Sequence, residues 1–406
     1  MISLEEARAR VLAGCGRLPS RRLELDDCVG CVTSEAIVAN ANVPPFANSA
    51  MDGYAVRAAD VAGASPDHPV KLSVTGILAA GAAPSIEVGA GQAIQIMTGA
   101  PFPAGADAIA IVEVTRQADG GAAVLVQEPA TAGMHVRPAG EDIAAGQEVF
   151  PAGTLLGPGH LGVLASIGRE KVPTYGRARV GVLSTGDELV DGPGELQPGQ
   201  IRDSNRHTLL ALARHNGFDA VDLGVAADDE GVIRDVITRG LASCDALLTS
   251  GGVSMGEFDY VKKVLDELGE MQWMQIAIRP AKPLAFGLIG GKPVIGLPGN
   301  PVSSMVSFEL FARPALRQMM GVPDDQLDRP RIRAIADEPL RRRPDGKTHL
   351  ARVVADWGAD GRCHVRFSGG QASNLLRAMA LADALAFVPD GEGVPASGDV
   401  DVWFLS

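Results

Sequence analysis

Four places in this chain set carboxylates or rigid turns directly behind apolar runs of strand length. They are Ser184-Thr185-Gly186-Asp187-Glu188, the pair Asp228-Asp229, the stretch Ser250-Gly251-Gly252 with Glu257 and Asp259 beyond it, and Pro298-Gly299-Asn300-Pro301. In the third, Ala246, Leu247, Leu248 and Thr249 read as a buried parallel strand, ended by two residues that tolerate unusual backbone angles. Val261, Val264, Leu265 and Leu268 then recur at helical spacing behind the two carboxylates. Strand, glycine turn and helix start together offer free N–H groups and a positive dipole end to an anion. Carboxylates at the same place would repel that anion unless a divalent cation lay between them. The chemistry expected is the handling of a phosphorylated ligand with Mg²⁺. Each segment also has a plainer reading. Asp228, Asp229 or Asp259 would serve as a helix cap, Glu188 as a solvated loop charge, and the Pro298-Gly299-Asn300-Pro301 run as a stiff turn.

A second polar set lies upstream. Asn48, Ser49, Asp52 and Tyr54 fall within 44–56, Thr98-Gly99-Ala100-Pro101 ends a strand-like run, and Arg137, Glu141 and Asp142 follow. None of these is a catalytic signature alone, since an isolated Asp-Gly is usually a turn.

The elements needed to position these residues are legible as patterns. From residue 177, strand patterns at 179–185, 219–225, 245–250 and 292–297 alternate with helical patterns at 204–217, 230–242, 257–268 and 302–319. Such alternation predicts a doubly wound parallel α/β domain, whose ligands bind beyond the carboxyl ends of the strands. All four segments would then leave one edge of one sheet. Upstream, the runs VKLSVTGIL, AIQIMTGA, AIAIVE and AAVLVQE, punctuated by turns, predict a β-rich region. Residues 4–14 have the pattern of an amphipathic helix, and 144–176 supply a turn-rich return and a helix beside it. Five further β-like runs after Pro330 predict a small barrel-like module. The expected fold is multidomain α/β plus β. Its expected domains are 1–43 with 144–176, then 44–143, 177–328 and 329–406.

Composition narrows the function. A chain of 406 residues suits two to four domains, and 46% apolar with 21% charged residues is ordinary for a globular protein. Aromatics at 4% argue against stacking platforms for single-stranded nucleic acid. A net charge of −13 opposes non-specific binding to nucleic acid or anionic membranes. A small anionic ligand needs only a local patch or a bound metal. The five scattered cysteines give no disulfide framework, and Cys28 and Cys31 read as ordinary buried thiols. With no apolar signal core and no run of ~18 apolar residues, a cytoplasmic protein without nucleic-acid or membrane partners is expected.

Taken together, the segments resemble the MoeA-type molybdopterin molybdenumtransferases, the family that includes the E domain of gephyrin. The likeness runs in order through PPFANSAMDGYAV, IMTGAPFPAGADAI, RPAGEDI, STGDEL, IRDSNRHTL, TSGGVSMGEFDYVK, RPAKPLAFG and LPGNPVSSMVSFELF. It implies an enzyme of molybdenum cofactor biosynthesis that takes adenylylated molybdopterin and molybdate. Cleavage of the adenylate with Mg²⁺ would release AMP and leave molybdenum on the dithiolene. It further implies a MogA-like α/β domain at 177–328, an N-terminal dimerisation domain, and a homodimer with shared active sites. In that dimer the 44–142 cluster of one chain would face the α/β edge of its partner. A contact with molybdopterin adenylyltransferase is also expected.

Carried over by motif, the implied catalytic residues are Asp52, Asp142, Glu188, Asp228, Asp259 and Lys282, with Glu188, Asp228 and Asp259 as metal ligands. Thr98 would help close the site. Ser250, Gly251, Gly252 and the helix start after Asn300 would cradle phosphate. Arg279 and Lys282 would offset oxyanion charge. Pro298 and Pro301 would shape their loop, and Arg352 and Ser373 would reach the cleft. The chain departs from the family pattern at Ala47, where many members have Asp, and at Gln275, Arg279 and Ala281, where a lysine-rich version is common. The resemblance leaves two alternative functions: a non-catalytic scaffold of the gephyrin type, and the adenylyltransferase step itself.

Overall fold

The computed structural model describes residues 1–83, 85–253 and 260–405. The chain forms two compact units, one of Glu35–Ala152 with Pro158–Lys171, the other of Met1–Ser34, Gly153–Gly157 and Val172–Ser406.

In the smaller unit a six-stranded sheet runs in the order Ala108–Ile111, Gly53–Val56, Gln92–Ile96, Val70–Leu78, Ala123–Val126, Thr115–Ala118. All its neighbours are antiparallel except Val70–Leu78 beside Gln92–Ile96. Alternation divides its side chains between two cores, because successive residues of a strand point to opposite faces. Tyr54, Val56, Ala93, Ala108 and Val124 pack on one face, and Ala55, Ile94, Ile96 and Ile109 on the other.

The larger unit holds the predicted α/β sheet. Its strand order is Asp219–Ala226, Arg179–Thr185, Ala246–Ser250, Lys292–Leu297, Pro283–Ile289, Glu270–Gln275. The first four are parallel, as the sequence pattern predicts. The last two run antiparallel and were not anticipated. Their signals are weak: Glu270–Gln275 is polar and alternating, and Pro283–Ile289 opens on a proline that reads as a turn. Helices cover both faces. Val180, Val182, Leu248 and Ile295 pack with Leu209, Val306 and Leu316, while Leu183, Leu247 and Val294 pack with Ile233, Ile237 and Val264.

The helix expected over 302–319 is three segments, Pro301–Ser307, a π-turn Phe308–Ala312, and Arg313–Met319. Pro314 has no N–H to donate to the carbonyl of Leu310. That carbonyl instead accepts from the guanidinium of Arg8 on the N-terminal helix Leu4–Ala13.

The five β-like runs after Pro330 close into a barrel: Thr348–Trp357, Cys363–Phe367, Arg331–Ala336, Asp399–Phe404, Ala384–Val388 and back to the first. Ala334, Val353, Val365, Ala386 and Val402 fill it. No described helix is long and apolar enough to cross a membrane, and all five cysteines are free and buried.

Candidate active site

The chain's first strand in the α/β sheet is central, with the second on one side and the third on the other. The strand order therefore reverses beside Arg179–Thr185, where such folds bind ligands. The register sets four strand ends level there: Thr185 beside Ala226, Ser184 beside Ser250, and Ser250 beside Leu297. The four segments singled out in the sequence thus do leave one edge. Gly251 and Gly252 make the turn at φ +95 and +65, and a Cβ on Gly252 would sit 2.3 Å from the Val261 Cβ. Larger residues cannot make this turn without moving the following helix.

At one side of the edge, Asp187, Glu188 and Asp228 crowd together. The Asp228 N–H donates to Asp187 Oδ1 at 3.0 Å. Burial first, then the charges of Asp187 and Glu188, push the Asp228 carboxyl above its ordinary value. Asp229, not Asp228, caps the helix Glu230–Ser243, accepting from Val232 N at 2.9 Å. The cap reading therefore belongs to Asp229, while Asp228 stays beside Asp187 and Glu188. The loop carrying Glu188 is anchored three residues on. Arg206, 4% exposed, binds Asp203 at 3.0 Å and also contacts Asp191 and Asp222. Asp203 in turn accepts from Ser184 Oγ at 3.1 Å.

On the other side of the edge, a cavity of about 380 Å³ is lined by Arg279, Lys282, Asn300, Ser303, Lys347 and Ser373, among others. The Val302 N–H donates to the Ser373 carbonyl at 3.1 Å, which ties the barrel's 370–373 loop to the Pro298-Gly299-Asn300-Pro301 turn. Lys282 and Arg279 are exposed toward this space. Arg352 is 1% exposed, and its guanidinium donates to the carbonyls of Gly370 and Ala372 at 3.2 Å each. It holds the loop that presents Ser373.

Between the two sides stands Asn205, which is not among the residues expected from the sequence. Its Nδ2 donates to Ser250 Oγ at 2.8 Å and to the Gly299 carbonyl at 2.7 Å, so one amide clamps two strand ends. Its Oδ1 is buried without a hydrogen-bond partner among the described residues. A signal for it existed in the polar run Asp203-Ser204-Asn205-Arg206 at a helix start, but that pattern first suggests capping.

In the smaller unit the three motif segments meet on one ribbon. Ser49 N donates to Ala100 O at 3.0 Å and Gly99 N to Ser49 O at 2.8 Å, while Ala50 N donates to His135 O at 2.9 Å and Asp142 N to Val43 O at 3.0 Å. Asp52 Oδ1 accepts from both Thr98 N (2.7 Å) and Thr98 Oγ1 (2.8 Å). These hydrogen bonds, the backbone one foremost, hold the Asp52 carboxyl below its usual range. Asp142 is exposed at the end of the same ribbon.

Of the expected residues, the larger unit brings Glu188 and Asp228 to one side of the sheet edge, and Lys282, Arg279, Asn300 and Ser373 to the other. Ser250, Gly251, Gly252, Pro298 and Pro301 lie between. Asp52, Thr98 and Asp142 belong to the smaller unit. Asp259 lies outside the described residues, as does the helix start expected at 257. Mg²⁺ fits the donor chemistry of the crowded side, since it favours carboxylate oxygens and commonly uses one or two with water. The mutual repulsion felt by Asp228 is what such a cation would relieve. Among the described residues, no three His, Cys, Asp or Glu side chains form a ready metal cage.

Comparison with known proteins covers nearly the whole chain. Residues 2–168 match the family described as the MoeA N-terminal region (domain I and II), 181–318 a probable molybdopterin binding domain, and 333–405 the MoeA C-terminal region (domain IV). A protein of Mycobacterium tuberculosis named molybdopterin molybdenumtransferase 2 is 40% identical over 390 residues, 94% of each chain. A molybdopterin molybdenumtransferase of Haemophilus influenzae is 35% identical over 404 residues, covering 98% of this chain and 97% of that one. Among solved structures, the molybdopterin biosynthesis MoeA protein of Pyrococcus horikoshii superposes with a TM-score of 0.82 at 27% identity, over all of both chains.

Proposed function

This chain belongs to the MoeA family, and from that premise we propose that it is a molybdopterin molybdenumtransferase acting on adenylylated molybdopterin and molybdate. It is a transferase of molybdenum cofactor biosynthesis, and the relatives that match almost its whole length carry that name. Neither a scaffold nor an adenylyltransferase reading is favoured by those relatives.

One arrangement supports the finer reading. Carboxylates lie on one side of a sheet edge and a cation-lined cavity on the other. The strands carrying Glu188 and Asn300 are two spacings apart, about 10 Å. An anionic phosphate bridge at the edge with a second oxyanion beside it suits that span, and adenylylated pterin with molybdate supplies both. Glu188 and Asp228, with Asp259, would hold Mg²⁺, whose charge would offset that of the phosphate bridge. Asn205 and the N–H groups around Gly251 and Gly252 fix the bridge against the edge. Arg279 and Lys282 offset the incoming oxyanion, and Ser303 and Ser373 offer it hydroxyls. Arg352 acts by holding the loop of Ser373. The working form is a cytoplasmic homodimer in which one chain's Asp52, Thr98 and Asp142 complete the site built on its partner.

The test uses the full chain with adenylylated molybdopterin, molybdate and Mg²⁺. AMP is released, and the pterin product activates an apo-molybdoenzyme. Chelation of Mg²⁺ stops the release, and adding it back restores it. AMP release no faster than that of a Glu188→Gln control overturns the proposal.

A further inference from the structure

A second cavity, of about 370 Å³, opens at the barrel beside the first and shares Arg279, Gln371 and Ala372 with it. Its remaining walls are its own. Leu340, Leu350, Phe367 and Val388 give it an apolar floor, and Arg341, Arg342, Arg343, His349 and the buried Arg352 bring charged or titratable groups to its wall.

The charges here do not balance. Arg342 has its counter-charges, paired with Asp345 and Asp390 at 2.6 Å each. Asp345 is also held by Lys347 at 2.9 Å and His349 at 3.3 Å, so Arg279 reaches it only at 4.0 Å. Arg341 and Arg343 are exposed and pair with no described carboxylate. Among the described residues Arg352 has no ion pair either. Its guanidinium donates to two carbonyls, and its Nε is buried without a described partner. Burial, and then the charge of Arg279, bring its pKa down to about 10. A guanidinium withdrawn from water with no counter-charge is costly unless an anion compensates it. In a chain of net charge −13, three guanidinium groups around one cavity that pair with no described carboxylate, one of them buried, are a local excess that composition does not supply.

We propose that this barrel cavity is a second anion site, which takes a tetrahedral oxyanion on Arg341, Arg343 and Arg352. For the source of that anion the inference rests on the transferase reading, whose reaction takes in molybdate and sets free a phosphate monoester, AMP. Both are tetrahedral oxyanions, and both suit planar guanidinium forks. The apolar floor gives the nucleoside of the ester a surface that bare molybdate would leave unused.

The experiment is phenylglyoxal labelling of the intact protein, mapped by peptide mass spectrometry, in buffer alone, with molybdate, and with AMP. Labelling of Arg341 and Arg343 falls when the ligand is present. Protection by AMP alone identifies the ester as occupant, and protection by molybdate as well identifies the bare oxyanion. Equal labelling in all three conditions overturns the proposal. An Arg341→Gln/Arg343→Gln double variant, verified as folded by its thermal unfolding, binds the protecting anion about ten-fold more weakly than the unsubstituted chain. Unchanged affinity also overturns it. A Lys282→Gln variant keeps the protection, and loss of protection there would merge the two cavities into one site and end the claim of a second. Labelling needs no turnover, so a chain that releases no AMP yet protects these arginines would retain the site and lose only the transferase reading.

Discussion

Asn205 and Asp228 carry chemistry that their neighbours in sequence do not reveal. The Asn205 amide can face only one way, because the Gly299 carbonyl accepts and cannot donate, so the nitrogen lies toward it. Asn205→Asp puts a second acceptor against that carbonyl. The expected result is a fall of about ten-fold in kcat/KM for AMP release, equivalent to ~1.4 kcal/mol, the scale of one lost hydrogen bond. Unaltered kinetics in a folded Asn205→Asp protein would remove this residue from the site. For Asp228 the sign follows from its raised pKa. The ionised form binds the cation, so activity is lost as pH falls, and the loss sets in above the ~3.9 of an ordinary aspartate. Asp187→Asn removes one repelling charge while its Oδ1 still accepts from Asp228 N. The acid limb of the kcat/KM profile should therefore move to lower pH. A limb that stays in place assigns it to another group. Neither residue was fully legible beforehand. The partners of Asn205 lie 45 and 94 residues away, and Asp228 could be told from a cap only once Asp229 was seen to occupy that role.

Elements were read more easily than residues, for a physical reason. Parallel strands buried on both faces must be continuous apolar runs, and their ends must turn sharply, so Arg179–Thr185 and Lys292–Leu297 announce themselves. The barrel strands alternate because one face fills a core and the other meets solvent. Glu270–Gln275 escaped because a polar edge strand owes its pairing to a neighbour rather than to local pattern, and Pro283–Ile289, an interior strand, because its opening proline reads as a turn. The π-turn before Pro314 escaped because its freed carbonyl is satisfied by Arg8, a residue 302 positions distant. The helix Glu230–Ser243 yields a test at this scale. Asp229→Ala removes one cap hydrogen bond and should lower the unfolding free energy by about 1 kcal/mol. Its kcat should be that of the unsubstituted enzyme below the melting transition, whereas Asp228→Ala should lose turnover with little change in melting. Loss of turnover in the Asp229 variant at temperatures where it remains folded would reverse the assignment of cap and ligand.

At the scale of the whole molecule, the candidate residues fall into two sets on separately packed units, with Asp52, Thr98 and Asp142 in one and Glu188, Asp228 and Lys282 in the other. Each set is internally ordered: Thr98 fixes the Asp52 carboxylate, and the sheet register fixes the strand ends. Sequence patterns could indicate both sets but not which copy of the chain unites them, since the pattern within one chain is the same in either case. Symmetry makes the alternatives measurable. Asp52→Ala and Glu188→Gln proteins should each be inactive alone. In a mixed dimer whose sites are shared, one site receives both substitutions and the other receives neither. Random re-association of equal amounts makes half of the dimers mixed, with one of two sites intact, so about a quarter of the unsubstituted activity should return. If each site were built within one chain, every site would carry a substitution and none would return. Mixing after mild dissociation, with AMP release as the readout, decides between the two, and a mixture as inactive as its components ends the shared-site proposal.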